Sequence, residues 1–262
     1  MRLSIIVVHH DAPEDLKVCL RSVEKAAEGL SFETIVVDNA SENAGSLQAQ
    51  FPAVTWLQND TNVGFGSAIN QGAAESGGDI LVVLNADVEL LPDSLRSLDR
   101  FFAEKEGLSA GTVGGKLLFP DGRIQPSCGP FPTLFGLLWR RALPPVKRKY
   151  YLRSPDSAAP VDWVTGAFFA VRHSVLREIG GFDPGFFLYY EDADFCLRAR
   201  LMGHPTYFLP AAAAYHRHPY AVRAKPDPQL KKIIQTSRLL YFAKHRPAWE
   251  VWALKGLQLL ER

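Results

Sequence analysis

Uninterrupted apolar runs alternate with helically spaced stretches through the first part of the chain. Leu3–Val8 (LSIIVV), Thr34–Val37 (TIVV) and Ile80–Leu84 (ILVVL) lack the polar alternation of a half-solvated strand. Runs rich in β-branched residues and leucine predict strands buried on both faces, as in the middle of a parallel sheet. Val54–Gln58 predicts a further, less apolar strand. Between these runs, Leu16, Leu20 and Val23 recur at helical spacing within a helix over 14–28. Asn62 to Gly72 (NVGFGSAINQG) opens a helix running to about Ser76, and Pro92-Asp93 begins another through Phe102.

After Thr112 the pattern shifts to shorter extended pieces, with a hairpin turn predicted at Pro120-Asp121-Gly122. Phe131–Trp139 (FPTLFGLLW) reads as a mobile loop, a lid on the core or an interfacial segment. Val161–Val171 reads as a turn entering a strand, Ser174 as the cap of a helix ending near Gly180-Gly181, and Phe182–Tyr190 as an aromatic loop. A helix from Glu191 through Met202 follows, then a short strand ending at Leu209-Pro210. The tail, Pro228–Arg262, predicts two helices broken at Pro247. The second carries Trp249, Trp252, Ala253, Leu257 and Leu260 as one stripe, expected to pack on the body or on a second copy in a homodimer.

Composition narrows the class. With 262 residues, 47% hydrophobic and 22% charged, the chain reads as a soluble globular protein with one large domain and an appendage. A net charge of +1 excludes a generally basic nucleic-acid binder, and no nucleic-acid partner is expected. The charge is uneven, however. From Tyr215 to the end there are ten Lys or Arg against three Asp or Glu, and Arg140–Arg153 adds six basic residues with no acid. Cys19, Cys128 and Cys196 are widely spaced without a CxxC pair, which argues against a disulfide framework or a zinc site and favours a reducing, cytoplasmic setting. Met1–Val8 is too short for a signal peptide, and no segment offers the roughly 18 apolar residues of a membrane span.

Candidate chemistry gathers where the predicted strands stop. The first turn contains no glycine, which counts against a dinucleotide fold, a P-loop or a sugar nucleotidyltransferase. Asp87, just past the Ile80–Leu84 run, stands where open α/β sheets bind ligands; it reads either as the holder of a divalent metal against a diphosphate or as part of a polar turn. Asp38 reads as a nucleoside contact or as an Asx turn. Gly64 and Gly66 permit close approach near a helix amino end, and Asn70 inside that helix is an unusual residue that suggests a contact. Gly166 leaves room for a ligand and Trp163 offers a face for stacking on a sugar. Glu191-Asp192-Ala193-Asp194 puts three carboxylates at a helix start behind an aromatic run. There the helix dipole accounts for one or two of them, and aromatic surroundings raise a carboxyl into the range of a general base. Asp192 and Asp194 cannot share a helix face, so one of them is expected to reach substrate. His216 and His218 are candidate metal ligands folding back from the last strand.

Seven segments in order make these pieces specific: SIIVVHHDAPEDLKVCLRSV, IVVDNAS, NVGFGSAINQG, ILVVLNADVEL, WVTGAFFAVRHSVLREIGGFD, FFLYYEDADFCLRARLMGH and Tyr215-His216. Over Leu3–His218 the chain resembles the family 2 glycosyltransferases of GT-A fold, and within them the bacterial rhamnosyltransferase-like group. The resemblance implies a single Rossmann-like α/β domain, 1–218, with a mixed and mostly parallel sheet flanked by helices. It divides into a donor half, 1–110, and an acceptor half, 111–218, with a helical appendage over 219–262.

The implied roles follow the matching positions. Val8, His10, Asp38, Asn39 and Asn70 would line the donor nucleotide-sugar. Asn85-Ala86-Asp87 takes the DxD position, with Asp87 holding Mn²⁺ or Mg²⁺ and His216 completing the shell. Asn85 leaves a neutral ligand where a carboxylate usually stands, so the donor diphosphate would supply much of the coordination. His10 stands where the family commonly has an aromatic residue or asparagine. Trp163, Gly166, Glu191 and Asp192 would shape the acceptor site, with Asp192 as general base. The implied reaction is inverting transfer of a sugar, best matched by rhamnose, from a nucleoside-diphosphate sugar to a glycan or polyprenyl-diphosphate-linked glycan in cell-surface polysaccharide synthesis. The expected location is cytoplasmic, with peripheral contact at the inner face of the plasma membrane. The alternatives are a non-catalytic nucleotide-sugar-binding protein and a sugar nucleotidyltransferase.

Overall fold

The computed structural model describes residues 2–42, 45–142, 154–218 and 228–259. The first half alternates strand and helix: β1 (Leu3–His9), α1 (Pro13–Ala26), β2 (Phe32–Asp38), α2 (Gly45–Gln48), β3 (Thr55–Gln58), α3 (Phe65–Ala74), β4 (Ile80–Asn85) and β5 (Val88–Leu90). Helices α4 (Ser94–Ala103) and α5 (Lys105–Leu108) lead into β6 (Thr112–Leu118), β7 (Ile124–Gln125), β8 (Cys128–Gly129) and α6 (Leu134–Ala142). Then come β9 (Ala159–Val161), β10 (Trp163–Val164), β11 (Phe168–Arg172), α7 (His173–Ile179), α8 (Glu191–Leu201), β12 (Thr206–His216), α9 (Pro228–His245) and α10 (Ala248–Leu259).

The main sheet runs β3-β2-β1-β4-β11-β6-β12-β5, with β7 on β6 and β9 on β12. Strands β3, β2, β1, β4, β6 and β12 point the same way, while β11 and β5 run against them. The run at Ile80–Leu84 is indeed central and fully buried, though it lies between parallel β1 and antiparallel β11. Period-two geometry explains the absence of polar residues there. Ile80, Val82 and Leu84 pack with Leu16, Leu20, Leu95 and Leu98 of α1 and α4, whereas Leu81 and Val83 pack with Ile69, Phe182 and Phe195 beside α3 and α8. Each such side chain contributes roughly 2 kcal/mol by leaving water, so a charge at Val83 would break both the layer and the sheet.

A third apolar cluster joins α6, α8, α9 and α10 through Leu134, Phe186, Ala193, Tyr241, Phe242 and Leu254. Phe131–Trp139 is therefore neither a loop nor fully a lid: α6 buries Leu134 and leaves Phe135 and Trp139 exposed. The tail does break at Pro247, but its stripe is rotated from the expected one. Leu254 is buried, and Val251 and Leu257 pack beside it, leaving Trp249 and Trp252 in solvent. Leu260 and residues 143–153 of the basic stretch lie outside the described residues.

Two boundaries differ from the sequence reading. Helix α7 starts at His173 with Arg172 at its cap, and Ser174 lies inside it. Strand β12 does not end at Leu209-Pro210; it continues to His216 through a bulge opposite β6 between Leu209 and Ala213. A bulge accommodates Pro210, which has no N–H for the ladder. The continuation brings His216 opposite Val88, one residue from Asp87. Among the described residues no helix is long and apolar enough to cross a membrane, and Cys19, Cys128 and Cys196 are buried and form no disulfide.

Candidate active site

Strands β1, β2 and β4 deliver three polar groups to one edge of the sheet. Their register sets His9 opposite Asp38 and half-buried Val8 opposite Asn85. His9 Nδ1 lies 3.0 Å from Asp38 Oδ1, and the Ala12 N–H donates to His9 Nε2 at 3.1 Å. These partners assign the proton to Nδ1. Burial pushes the imidazole below its ordinary value, outweighing the opposing pull of Asp38. Ser41 donates to the same Asp38 oxygen at 2.5 Å, while Asp38 Oδ2 is buried with no hydrogen-bond partner among the described residues. A buried carboxylate oxygen left open is costly in isolation and suits a ligand donor.

Asn39 and His10 serve the loop behind this edge. The Asn39 amide donates to Gly64 O at 3.3 Å and accepts from Asn59 at 2.9 Å, and its backbone carbonyl meets His10 Nδ1 at 2.8 Å. Asn70, singled out in sequence as a contact, is held internally. Its amide nitrogen donates to Phe182 O at 2.7 Å and its oxygen accepts the Phe182 N–H at 2.8 Å, pinning the aromatic loop to α3. Gly64 also serves that loop: a Cβ there would lie 2.6 Å from Phe187 O, and its φ of +87° is left-handed.

Beyond β4, the turn at Asp87 closes against the end of β12. Asp87 Oδ1 lies 3.3 Å from His216 Nε2, and Asp87 Oδ2 accepts the His218 N–H at 3.2 Å. The Asn85 amide is 3.5 Å from the same Nε2, and the Gln125 amide meets His216 Nδ1 at 3.0 Å. Burial alone would raise the Asp87 carboxyl, but the His216 contact and the His218 N–H outweigh it and hold the carboxyl below its usual value. Ala86 is buried among core residues. Among the described residues no cluster of three or more His, Cys, Asp or Glu side chains is placed to hold a metal. A carboxylate, an imidazole and an amide side by side form a donor set that fits a divalent ion completed by oxygens from elsewhere.

The α8 amino end supplies the third component. Tyr189 and Tyr190 both have left-handed φ values, 68° and 70°, directly before Glu191. Such conformations cost of order 1–3 kcal/mol each and cluster at functional turns. Asp192 is half-buried and accepts the Gly166 N–H at 3.1 Å and the Ala193 N–H at 2.8 Å. Burial pushes its carboxyl up to about 6 against these hydrogen bonds. Glu191 is pushed well above its ordinary value by burial and by the charge of Asp192, and its Oε2 has no hydrogen-bond partner among the described residues. Gly166 does not leave an open space, since a Cβ there would lie 2.7 Å from the Phe65 ring. Trp163 donates from its indole nitrogen to Pro130 O at 2.9 Å.

One short backbone segment joins the two ends. Ala167 O accepts the Asn85 N–H at 3.2 Å while the adjacent Gly166 N–H holds Asp192. The strand end before Asp87 and the Asp192 carboxylate are therefore tied to adjacent residues of one backbone segment. Gln125 and His9, which contact the candidate residues His216 and Asp38, were not singled out in sequence. His9 had a signal, since a polar residue ending an apolar strand opposite another such end points to a pair.

The sequence matches the profile described as Glycosyl transferase family 2 over residues 4–180, and that of Glycosyl transferase family group 2 over 149–249. It is 27% identical to an N-acetylglucosaminyl-diphospho-decaprenol L-rhamnosyltransferase of Mycobacterium tuberculosis, across 97% of this chain and 89% of the relative. It is 29% identical to the rhamnosyltransferase WbbL of Escherichia coli, across 81% of this chain and 82% of WbbL. The fold matches the crystal structure of GalNAc-T7 with UDP, GalNAc and Mn²⁺ at a TM-score of 0.62 and 16% identity, covering 93% of this chain and 50% of that one. It also matches the mannosyltransferase PcManGT of Pyrobaculum calidifontis with GDP-Man and Mn²⁺ at 0.59 and 17% identity, covering 98% and 79%. With the family profile spanning most of the chain and the fold matching these neighbours, the chain belongs to glycosyltransferase family 2 and is a glycosyltransferase of GT-A fold.

Proposed function

We propose that the chain transfers rhamnose from a nucleoside-diphosphate donor, with inversion, to a hydroxyl of a lipid-linked or free glycan in cell-surface polysaccharide synthesis. The observation that carries this reading is the Gly166-Ala167 bridge, which ties the Asp87 turn to a base-ready Asp192. The rhamnose and the lipid-linked acceptor are supported by the names of the two relatives.

Residues 1–110 form the donor half and 111–218 the acceptor half, with 219–262 an appendage. Asp38, braced by His9 and Ser41, receives the nucleoside through its open oxygen. Asp87 and His216, with Asn85 as a neutral ligand, would hold Mn²⁺ or Mg²⁺. When bound, that ion offsets the charge that builds on the departing diphosphate. Asp192 accepts the proton of the acceptor hydroxyl as that oxygen attacks the anomeric carbon from the opposite face. The raised carboxyl makes Asp192 a better proton acceptor than an exposed aspartate while leaving it ionised at neutral pH. Burial and the charge of Asp192 raise the neighbouring Glu191 carboxyl as well.

The test offers nucleoside-diphosphate rhamnose, with and without Mn²⁺, together with a prenyl-diphosphate N-acetylglucosamine, and reads the product by mass and anomeric configuration. An added deoxyhexose of inverted configuration is expected. Asp87→Ala should abolish metal-dependent donor binding. Transfer of another sugar, or donor affinity indifferent to both Mn²⁺ and Asp87, would overturn the corresponding part.

A further inference from the structure

Several large aromatic side chains of α6 and α10 are left in solvent. On α6, Phe135 and Trp139 are 75% and 56% exposed, and their rings stack with centres 6.3 Å apart. On α10, Trp249 and Trp252 are 63% and 72% exposed, and the Lys255 ammonium sits 5.1 Å over the Trp252 ring. The two helices meet at their amino ends, where the Leu134 N–H donates to the Glu250 carboxylate at 3.0 Å. Phe135 and Trp249 each lie one residue from that bond, so the aromatic groups flank a single seam. The inner faces are already used: Leu134 and Leu254 turn into the cluster containing Phe186 and Ala193. Large apolar groups gathered on a surface mark an interaction face.

Charge identifies what the face meets. Among the described residues, no exposed position of α6 or α10 is acidic, because Glu250 is buried and paired with Arg246 at 2.5 Å. Arg140 and Lys255 are exposed beside the aromatic groups, and the sequence from Arg140 to Arg153 carries six basic residues and no acid. Tryptophan bodies flanked by cations suit the headgroup boundary of an anionic bilayer, where rings enter the acyl edge and cations meet phosphates.

We propose that α6 and α10 together form a docking face for the surface of an anionic phospholipid bilayer. The inference rests on the lipid-linked acceptor reading above and specifies how such an acceptor is met. The seam connects to the reaction through Ala193, which packs with Leu134 and Leu254 and is adjacent to Asp192. An acceptor anchored in the bilayer then has its sugar presented to the base by the same helices that grip the lipid.

The experiment is flotation of the full chain with phosphatidylcholine vesicles, with or without phosphatidylglycerol. The chain is expected to float with the anionic vesicles. The combined variant Phe135→Ser/Trp139→Ser/Trp249→Ser/Trp252→Ser should lower the bound fraction about tenfold or more with an unchanged circular dichroism spectrum. Arg140→Glu/Lys255→Glu should remove the preference for anionic lipid. A wild-type chain that stays in solution, or a folded serine variant that floats like wild type, overturns the proposal. So does a wild-type dimer that the serine variants split while neither floats, since the face then belongs to a second copy. Turnover on lipid-linked and on water-soluble acceptors is measured alongside. A chain that floats but glycosylates no lipid-linked sugar defeats the acceptor reading alone and leaves the docking face standing.

Discussion

Asp192 and Asp194 stand two residues apart in the first turn of α8, and the two sides of that helix treat them in opposite ways. Asp192 faces the turn before β11, where burial raises it to about 6 against the backbone N–H groups of Ala193, Gly166 and Asp192 itself. Asp194 is fully buried toward the tail. Burial would raise it too, but His245, Lys244 and Arg198, at 2.7, 2.6 and 2.8 Å, outweigh that and bring it down to about 2. The difference is one of partners: backbone dipoles leave a carboxylate available to take a proton, whereas three cationic or imidazole side chains commit it. One carboxylate is left open to proton transfer, and its neighbour becomes the anchor that fastens α9 to the helix bearing the proposed base.

The largest test of this contrast is Asp192→Asn, which should cost about 10²–10⁴-fold in turnover while donor binding persists. Turnover within a few fold of wild type would remove Asp192 from the base role. Asp194→Asn should instead weaken the hydrogen bonds from the partly exposed Arg198, Lys244 and His245 and lower stability by about 1.5–3 kcal/mol in denaturant melts. A loss below about 1 kcal/mol would mean that this cluster behaves as an exposed ion pair.

A smaller effect has the opposite sign. Because the folded Asp192 carboxyl lies above its ordinary 3.8, the native state binds more protons between those values, and stability from this group falls as pH rises toward about 6. Asp192→Asn is thus expected to raise the melting temperature at neutral pH, by about 1–3 kcal/mol in stability. Asp194 runs the other way: its contribution is present above 3.8 and is lost as pH falls toward about 2. The mildest perturbation is pH itself, with turnover rising through about 6 to a plateau. A flat turnover profile across that range would break the assignment.

How far the sequence reached depended on the range of the interaction. Buried strands were legible because Ile80–Leu84 must satisfy two apolar layers at once, a demand that shows in composition. Asp87, Asp192 and His216 were legible as motif positions, but their company was not. Gln125 meets His216 across 91 residues, and Lys244 meets Asp194 across 50. Pro210 suggested a strand end because it cannot donate to a ladder; a bulge removed that need. Gly64 and Gly166 looked like room for a ligand, whereas Phe187 and Phe65 occupy the space beside them. The Trp stripe held in part, with Ala253 and Leu257 packed on the body and Trp249 and Trp252 exposed, since helical spacing identifies a face without saying which neighbour arrives to cover it.

The Gly166-Ala167 segment has a consequence for how such an enzyme diversifies. Because adjacent residues hold the Asn85 strand end and the Asp192 carboxylate, the span between the proposed donor turn and the proposed base is set by main chain. Side-chain substitutions on either side of the segment keep these two main-chain hydrogen bonds, so the proposed pockets can vary while the span between them stays the same.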